Sequence, residues 1–230
     1  MNCDPYKVVK DFEKALCEYT GAKYAVTVTS CTAALMLAVA WHLQYPGGRI
    51  RKAHEGDYRN PYAKWFDQTH VVDRNPPLVI EIPKRTYISV PMSIIHAGGR
   101  PAFRDENWTG EYQLKPLPVW DCARWFRRDM YRPGQMMCLS FHWTKQLSIG
   151  QGGCLLHDND EADEWLRRMR FDGRREGVAP KDDTFTMIGS HCYMSPRDAA
   201  EGLSRLAVFK DSGPLPNDPY PDLSLCDIFK

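Results

Sequence analysis

Features that are common in membrane, metal-binding and nucleic-acid-binding proteins are absent from this 230-residue sequence. No apolar run reaches the roughly 18–20 residues that a membrane-spanning helix needs, and the polar start, MNCDPYKVVKDFE, does not have the pattern of a signal peptide. The eight cysteines form no CxxC pair and no zinc-ligand spacing. The net charge is only +1, which argues against general attraction to nucleic acid or anionic membranes. We therefore expect a cytoplasmic protein with reduced cysteines, no metal centre and no membrane association.

Helical and strand patterns alternate along the chain, which predicts the α/β class. The predicted helices cover 4–21, 30–43, 88–97, 158–173 and 195–209, and the predicted strands cover 23–29, 78–82, 101–104, 117–120, 136–141 and 152–157. This alternation is typical of a mostly parallel sheet flanked by helices, which binds ligands at the carboxyl ends of its strands. A domain over 1–211, interrupted by a polar and aromatic insertion at 45–77, is predicted to precede an irregular tail at 212–230.

Two of the predicted strands are followed by groups that suit a phosphorylated aromatic ligand. The first strand leads into a helix through Ser30, Cys31 and Thr32. Free backbone N–H groups at a helix start bind phosphate, although an ordinary N-cap is the alternative interpretation. Tyr87 follows the strand 78–82, where an aromatic ring is either a core residue or a platform for a flat ligand.

Two further strands end in charged groups. Asp121 directly follows the apolar LPVW, and a carboxylate at that depth needs a partner, which is either Arg124 or a cationic ring nitrogen of a ligand. Lys145 follows the strand MMCLSF, with Ser140 and His142 just before it and glycines after it. A surface lysine is the alternative interpretation of that position.

A helix start for phosphate, an aromatic ring, a carboxylate and a lysine are the groups that hold pyridoxal 5′-phosphate (PLP). The chain supplies all four in order, each after a predicted strand. We therefore predict a PLP site at the edge of the sheet where these strands end.

The same segments resemble the DegT/DnrJ/EryC1/StrS aminotransferases, which are PLP-dependent enzymes of fold type I. The similar blocks lie within 9–43, 79–106, 119–172 and 188–209, and include TSCTAALMLAV, IPKRTYISVPM, VWDCARWF, LSFHWTKQLSIGQGG and IGSHCYMSPRDAAEGLSRL. The resemblance implies the large PLP-binding domain of that fold. It also implies that the family's small C-terminal domain is missing or vestigial in this chain.

The resemblance further implies the roles of individual residues. Lys145 is expected to form an internal aldimine (a Schiff base) with PLP, Asp121 to bind the pyridine nitrogen, and Tyr87 to stack on the ring. The remaining cofactor-binding residues implied are Ser30, Cys31, Thr32, Arg124, Ser140, His142 and His191.

Three of these residues depart from the family's usual pattern. Cys31 replaces a glycine of the phosphate turn, and Arg124 replaces a glutamine or histidine beside the cofactor's phenolic oxygen. His191 replaces the asparagine that reaches the phosphate of the neighbouring subunit, and we expect it to take over that contact in a homodimer with shared active sites.

The activity implied is transamination of a nucleotide-sugar or another nucleotide-linked keto or amino substrate. The same groups also suit a PLP-dependent decarboxylase or lyase acting on an amino-acid-modified base in a nucleotide or in DNA. A non-catalytic remnant with a binding or regulatory role is a third interpretation, against which the retention of Lys145, Asp121 and Ser140 argues. Binding to nucleic acid is less favoured because the chain has no basic excess.

Overall fold

The structure, a computed structural model, describes residues 4–44 and 77–230. The helices of these residues are α1 (Lys7–Thr20), α2 (Cys31–Gln44), α3 (Ser89–His96), α4 (Asp160–Arg170) and α5 (Pro196–Leu206). The strands are β1 (Tyr24–Val28), β2 (Val79–Pro83), β3 (Arg100–Arg104), β4 (Tyr112–Gln113), β5 (Val119–Asp121), β6 (Met136–Ser140) and β7 (Gly153–His157). Residues 77–230 also contain three short 3-10 helices, at Pro180–Asp182, Leu223–Leu225 and Asp227–Phe229. Apart from residue 77, the insertion predicted at 45–77 lies outside the described residues.

The α/β class is confirmed, and the sheet it contains is mixed. Five strands lie in the order β1-β7-β6-β5-β4, and of the neighbouring pairs only β5 and β6 are parallel. Strands β2 and β3 form a separate parallel pair. The expectation of a mostly parallel sheet missed the reversal at β7, which is joined to β6 by residues 141–152 without an intervening helix. A parallel partner would need a crossover connection, so the chain turns back instead.

Because β7 runs antiparallel to both of its neighbours, β1 and β6 point in the same direction, and β5 runs with them. The carboxyl ends of these three strands therefore meet at one edge of the sheet. Gly153, at the start of β7, is paired there with both Val28 and Ser140. This edge is the one that the sequence predicts for ligand binding.

The core lies on both faces of the sheet. Helix α2 is apolar nearly all round and packs with Val26, Ile82 and Leu155 in one buried cluster. Helices α1 and α5 cover the other cluster, in which the side chains of Phe12 and Leu16 are fully buried. Each such Leu or Phe contributes about 1.5–3 kcal/mol by leaving water. None of the helices in the described part of the chain combines the length and apolar character needed to cross a membrane.

The helix ends follow the sequence signals, with one shift. Gly21 ends α1 in the left-handed conformation at φ 79°, and the side chains of Asn159 and Ser195 accept hydrogen bonds at the starts of α4 and α5. Helix α1 begins at Lys7 and not at Asp4, and the Asp4 carboxylate accepts the backbone N–H of Tyr6 at 2.9 Å in the turn before the helix.

A buried ionic cluster joins α1, β1 and α4. One carboxylate oxygen of Glu13 accepts hydrogen bonds from the backbone N–H and the hydroxyl of Thr27, at 2.9 and 2.8 Å. Arg170 donates to the same oxygen at 2.5 Å, and Arg167 donates to the other at 2.6 Å. Burial alone would raise the pKa of Glu13, but the two guanidinium groups and the Thr27 amide hold it below its usual range. The cluster fixes α4 behind the strand that leads to the site.

Candidate active site

A cavity of about 700 Å³ opens at the edge where β1, β5 and β6 end. All of the site residues predicted from the sequence, except His191, line it: Ser30, Cys31, Thr32, Tyr87, Asp121, Arg124, Ser140, His142 and Lys145. The fold thus brings together residues that are up to 115 positions apart in the chain. The volume of the cavity falls within the range typical of small-molecule sites.

The turn between β1 and α2 forms one end of the cavity. The hydroxyl of Ser30 accepts the backbone N–H of Ala33 at 3.1 Å, so this side chain is also the N-cap of α2. The Thr32 and Ser89 hydroxyl oxygens lie 2.7 Å apart. An added Cβ on Gly153 would lie 2.5 Å from the backbone nitrogen of Cys31 and 2.6 Å from the carbonyl oxygen of Ser30. The turn therefore sits directly on β7, in space that any other residue at 153 would fill.

Asp121, the last residue of β5, presents a buried carboxylate to the cavity, with 7% of the residue exposed. Its two oxygens accept hydrogen bonds from the hydroxyl of Tyr112 at 2.8 Å and from the backbone N–H of Ala123 at 3.0 Å. The Thr86 hydroxyl lies 2.6 Å from that of Tyr112 and extends the chain of hydrogen bonds. Burial raises the pKa of Asp121, while these hydrogen bonds and the nearby Lys145 oppose the rise.

Lys145 lies in the loop after β6, where its backbone N–H donates to the carbonyl oxygen of His142 at 2.8 Å. The residue is half-buried, and burial together with the positive charge of Arg124 lowers the pKa of its amine. Asp121, Cys31 and Asp218 act in the opposite direction. A lowered pKa increases the fraction of neutral amine at neutral pH, which is the form that attacks a carbonyl carbon.

Two aromatic rings stand at the cavity with much of their surface uncovered. Tyr87 is 57% exposed and Trp143 is 69% exposed. Both line the cavity, so Tyr87 is not the core residue of the alternative interpretation. Near them the Ser140 hydroxyl accepts the backbone N–H of His142 at 3.4 Å, and Nδ1 of His142 lies 3.0 Å from the hydroxyl of Thr144.

Arg124 lines the cavity but directs its guanidinium to the C-terminal part of the chain. It donates to the carboxylate of Asp218 at 2.7 Å, to the hydroxyl of Tyr220 at 3.3 Å and to the carbonyl oxygen of Pro216. The ion pair of Arg124 is therefore formed with Asp218, while the hydrogen bonds of Asp121 come from other groups.

His191 lies outside the residues that line the cavity. It is exposed, and its Nδ1 is 3.0 Å from a carboxylate oxygen of Asp172. The contact that the sequence predicts for it, with a neighbouring subunit, stays a prediction.

Several lining residues were not found from the sequence: Thr86, Trp108, Trp143, Asp218 and Tyr220, with Tyr112 behind Asp121. Tyr112 belongs to a two-residue strand, which is too short to produce a period-two pattern. Asp218 and Tyr220 belong to the segment predicted as an irregular tail. Of these residues, Trp143 could have been predicted from the sequence, since it lies between His142 and Lys145 in the same motif.

Arginines are frequent in two segments, 124–132 after Asp121 and 167–175 after the segment around Lys145. Most of them bind acidic groups of the same chain. Arg127 and Arg132 pair with Glu111 at 3.5 and 2.6 Å, and Arg175 pairs with Asp183 at 2.8 Å. These guanidinium groups are therefore compensated. Residues 4–44 and 77–230 also contain no cluster of three or more His, Cys, Asp or Glu side chains arranged to hold a metal ion.

The sequence profile of the DegT/DnrJ/EryC1/StrS aminotransferase family matches residues 3–48 and 123–212, more than half of the chain. The chain belongs to this family. Spore coat polysaccharide biosynthesis protein SpsC of Bacillus subtilis is 28% identical over 182 residues, which cover 72% of this chain and 46% of SpsC. A UDP-4-amino-4,6-dideoxy-N-acetyl-beta-L-altrosamine transaminase of Campylobacter jejuni is 25% identical over 220 residues, which cover 87% of this chain and 56% of the transaminase.

Among solved structures, the sugar aminotransferase CalS13 of Micromonospora echinospora superposes with a TM-score of 0.65 at 18% identity. The match covers 87% of this chain and 60% of CalS13, and it supports the fold-type-I architecture. The chain spans about half the length of the curated relatives it matches.

The aminotransferases of this family depend on PLP, and the residues of the cavity fit that group. The buried carboxylate of Asp121 accepts hydrogen bonds only from the neutral Tyr112 hydroxyl and Ala123 amide among the described residues, so a protonated ring nitrogen suits it as a cationic partner. The amine of Lys145 has a lowered pKa that suits an aldehyde. The hydroxyl groups of Ser30, Thr32 and Ser140 line the cavity and suit a phosphate. These three features surround one cavity.

Proposed function

We propose that this protein is a PLP-dependent aminotransferase that acts on a nucleotide-sugar or on another nucleotide-linked keto or amino substrate. The observation that carries the proposal is the arrangement of Lys145, Asp121 and the turn at Ser30 around a single cavity in a chain of this family. The names of its relatives support the substrate class, since one is a UDP-sugar transaminase and one neighbour is a sugar aminotransferase.

Lys145, Asp121 and Tyr87 would each have a separate role toward the cofactor. Lys145 would hold the cofactor through its aldehyde and, once released, its Nζ would take and return a proton at the carbon that carries the reacting nitrogen. Asp121 would keep the pyridine nitrogen protonated, and Tyr87 would hold the ring flat. PLP, when bound, supplies an electron-withdrawing ring that stabilises negative charge on that carbon.

The remaining lining residues would bind the phosphate and position the cofactor. Hydroxyl groups of Ser30, Thr32 and Ser140, together with the backbone N–H groups at the start of α2, suit a phosphate. Cys31, Arg124 and His142 would complete the walls around the cofactor. Residues 1–211 would form the cofactor-binding domain, followed by the segment at 212–230.

We further propose a cytoplasmic homodimer in which His191 reaches the cofactor phosphate of the neighbouring subunit. The exposure of His191, away from its own cavity, supports a contact with another chain. Light scattering of the PLP-loaded protein is expected to give the mass of a dimer. Tight PLP binding by a monomer would contradict this arrangement.

The test of the function is reconstitution of the full chain with PLP, followed by a screen of amino donors against keto-sugar nucleotides. The wild-type protein should gain a visible absorption band and convert a keto group to an amine, as read by mass spectrometry. Release of carbon dioxide or an eliminated fragment would instead support the decarboxylase or lyase alternative.

The matched pair of variants is Lys145→Ala and Lys181→Ala. Lys181 is exposed in a 3-10 helix away from the cavity lining, so its loss should change neither the band nor turnover. Lys145→Ala should lose both while its circular dichroism spectrum stays that of the wild type. A band that survives in Lys145→Ala would remove Lys145 from this role.

A further inference from the structure

The C-terminal part of the chain passes over the cavity and is attached on both sides of it. We call residues 211–223 the closing segment. At its start, a carboxylate oxygen of Asp211 accepts the backbone N–H of Arg128 at 3.1 Å, and Ser212 accepts the side-chain amide of Gln146 at 2.7 Å. At its end, the backbone N–H of Leu223 donates to the carbonyl oxygen of Lys84 at 2.8 Å.

Between these attachments the closing segment contributes two lining residues, Asp218 and Tyr220. The ring of Tyr220 stacks on Trp108, with centroids 6.4 Å apart and planes 14° from parallel. The Tyr220 hydroxyl donates to the Asp218 carboxylate at 3.0 Å. Asp218 is thereby held where it meets Arg124 at 2.7 Å, although 59% of its side chain is exposed.

Arg124 is the residue that needs this arrangement. Only 7% of it is exposed, and a buried guanidinium requires carboxylate or carbonyl partners. A buried carboxylate, that of Asp121, lines the same cavity three positions earlier in the chain, and Arg124 already influences it electrostatically. If Arg124 were not held by the closing segment, it would compete with a ligand for Asp121.

We propose that Asp218 is a positioning residue that holds the guanidinium of Arg124 on the closing segment and so keeps the Asp121 carboxylate available to the cofactor. The inference rests on the proposed function and concerns the same cavity. The cavity is lined by two cationic side chains, Arg124 and Lys145, and by two carboxylates, Asp121 and Asp218. Because Arg124 and Asp218 pair with each other, Lys145 and Asp121 remain for PLP. Tyr220 and Trp108 set the position of Asp218.

The same pair sets the charge around Lys145, which can be measured without cofactor. The titratable and charged groups that line the cavity with it are Cys31, Tyr87, Asp121, Arg124, His142, Asp218 and Tyr220. Among them Arg124 lowers the pKa of Lys145, and Asp218 raises it. Removing the charge of Asp218 should therefore lower the pKa of Lys145, and removing that of Arg124 should raise it.

The experiment compares Asp218→Asn, Arg124→Gln and the double variant, with Asp218→Glu as the conservative variant. Asp227→Asn is the matched control, because Asp227 belongs to the same C-terminal region but pairs with Lys230 outside the cavity lining. PLP affinity is measured by titration of each full-length protein. The pKa of Lys145 is measured in the cofactor-free proteins from the pH dependence of trace acetylation, read on the Lys145 peptide by mass spectrometry.

Asp218→Asn should bind PLP about tenfold more weakly, in keeping with the loss of one charge-assisted contact. The double variant should bind PLP more tightly than Asp218→Asn, because no arginine remains to occupy Asp121. Asp218→Glu should recover most of the affinity, and Asp227→Asn should behave as the wild type.

A double variant that binds as weakly as Asp218→Asn, or more weakly, would overturn the proposal, since a purely structural closing segment predicts that result. An unchanged Lys145 pKa in Asp218→Asn would overturn it as well. Failure of the proposed function is a separate outcome, in which the wild-type protein itself does not bind PLP while the acetylation profiles still report on the ion pair.

Discussion

Replacement of Gly153 by alanine tests whether the close contact between β7 and the turn at Ser30 shapes the cofactor site. The new Cβ would lie 2.4 Å from the carbonyl carbon of Ser30 and 2.5 Å from the backbone nitrogen of Cys31, whereas ordinary contacts of a Cβ begin at 3.4 Å. The turn or the strand must therefore move by about 1.0 Å, the difference between 3.4 Å and the shortest of these distances, 2.4 Å. Neither neighbour is a flexible side chain, so the displacement falls on backbone atoms that carry the predicted phosphate contacts.

Overpacking of this kind costs about 1–3 kcal/mol. If that strain is relieved by moving the turn, PLP affinity should fall by about 10- to 100-fold, since each 1.4 kcal/mol corresponds to a factor of ten. The assay is PLP titration by absorbance, with urea denaturation of the same protein to measure how much of the cost appears in the free energy of unfolding. The fold should survive because the hydrophobic clusters on either face of the sheet are unchanged.

Gly213→Ala is the control, because nothing lies within 4 Å of the Cβ it would add. That variant should keep both the affinity and the stability of the wild type. A Gly153→Ala protein that binds PLP with wild-type affinity would refute the reasoning, because it would show that the turn does not need its present distance from β7.

Three further predictions concern the groups behind the site. Asp121→Asn should still bind PLP but lose about 10²-fold or more in turnover, because an amide cannot keep the ring nitrogen protonated; undiminished turnover would exclude that role. Tyr112→Phe removes a hydrogen bond to the Asp121 carboxylate, so carbon-13 NMR of the cofactor-free protein should show the Asp121 pKa rising further; a pKa that stays or falls would contradict the network. Glu13→Gln should destabilise the fold by about 3 kcal/mol at pH 7, as expected when one partner leaves a buried ionic cluster. Because the pKa of Glu13 is lowered in the folded protein, its contribution is complete above the unfolded value of about 4.3 and is lost as the pH falls below it. The difference between variant and wild type in urea denaturation should therefore shrink between pH 5 and pH 3.

The residues that could be predicted from the sequence are those whose position follows from a local pattern. Asp121 and Lys145 come directly after apolar runs, and the polar turn at Ser30 lies between a strand and a helix, so the alternation of elements alone assigns them to one edge of the sheet. The motif around Lys145 then gives its family. The prediction succeeds because strand ends that point the same way must meet.

The residues that could not be predicted owe their place to contacts over long separations. Asp218 reaches the cavity because Arg124, 94 positions earlier, binds it, and nothing in the local sequence indicates that pair. The direction of β7 was missed for a different reason, since alternation of strands and helices was assumed to continue where no helix occurs between 141 and 152. Strand β4 was missed because two residues are too few to show a pattern.

The attachment of Arg124 to Asp218 also orders events during synthesis of the chain. At about 5–20 residues per second, the 94 residues that separate them take roughly 5–20 seconds to translate. During that interval α1, β1 and β5 are already available to pack, but the guanidinium of Arg124 has no closing segment to bind. The charge arrangement around Arg124 is therefore completed only after residue 218 has been translated, later than the strands whose ends form the cavity.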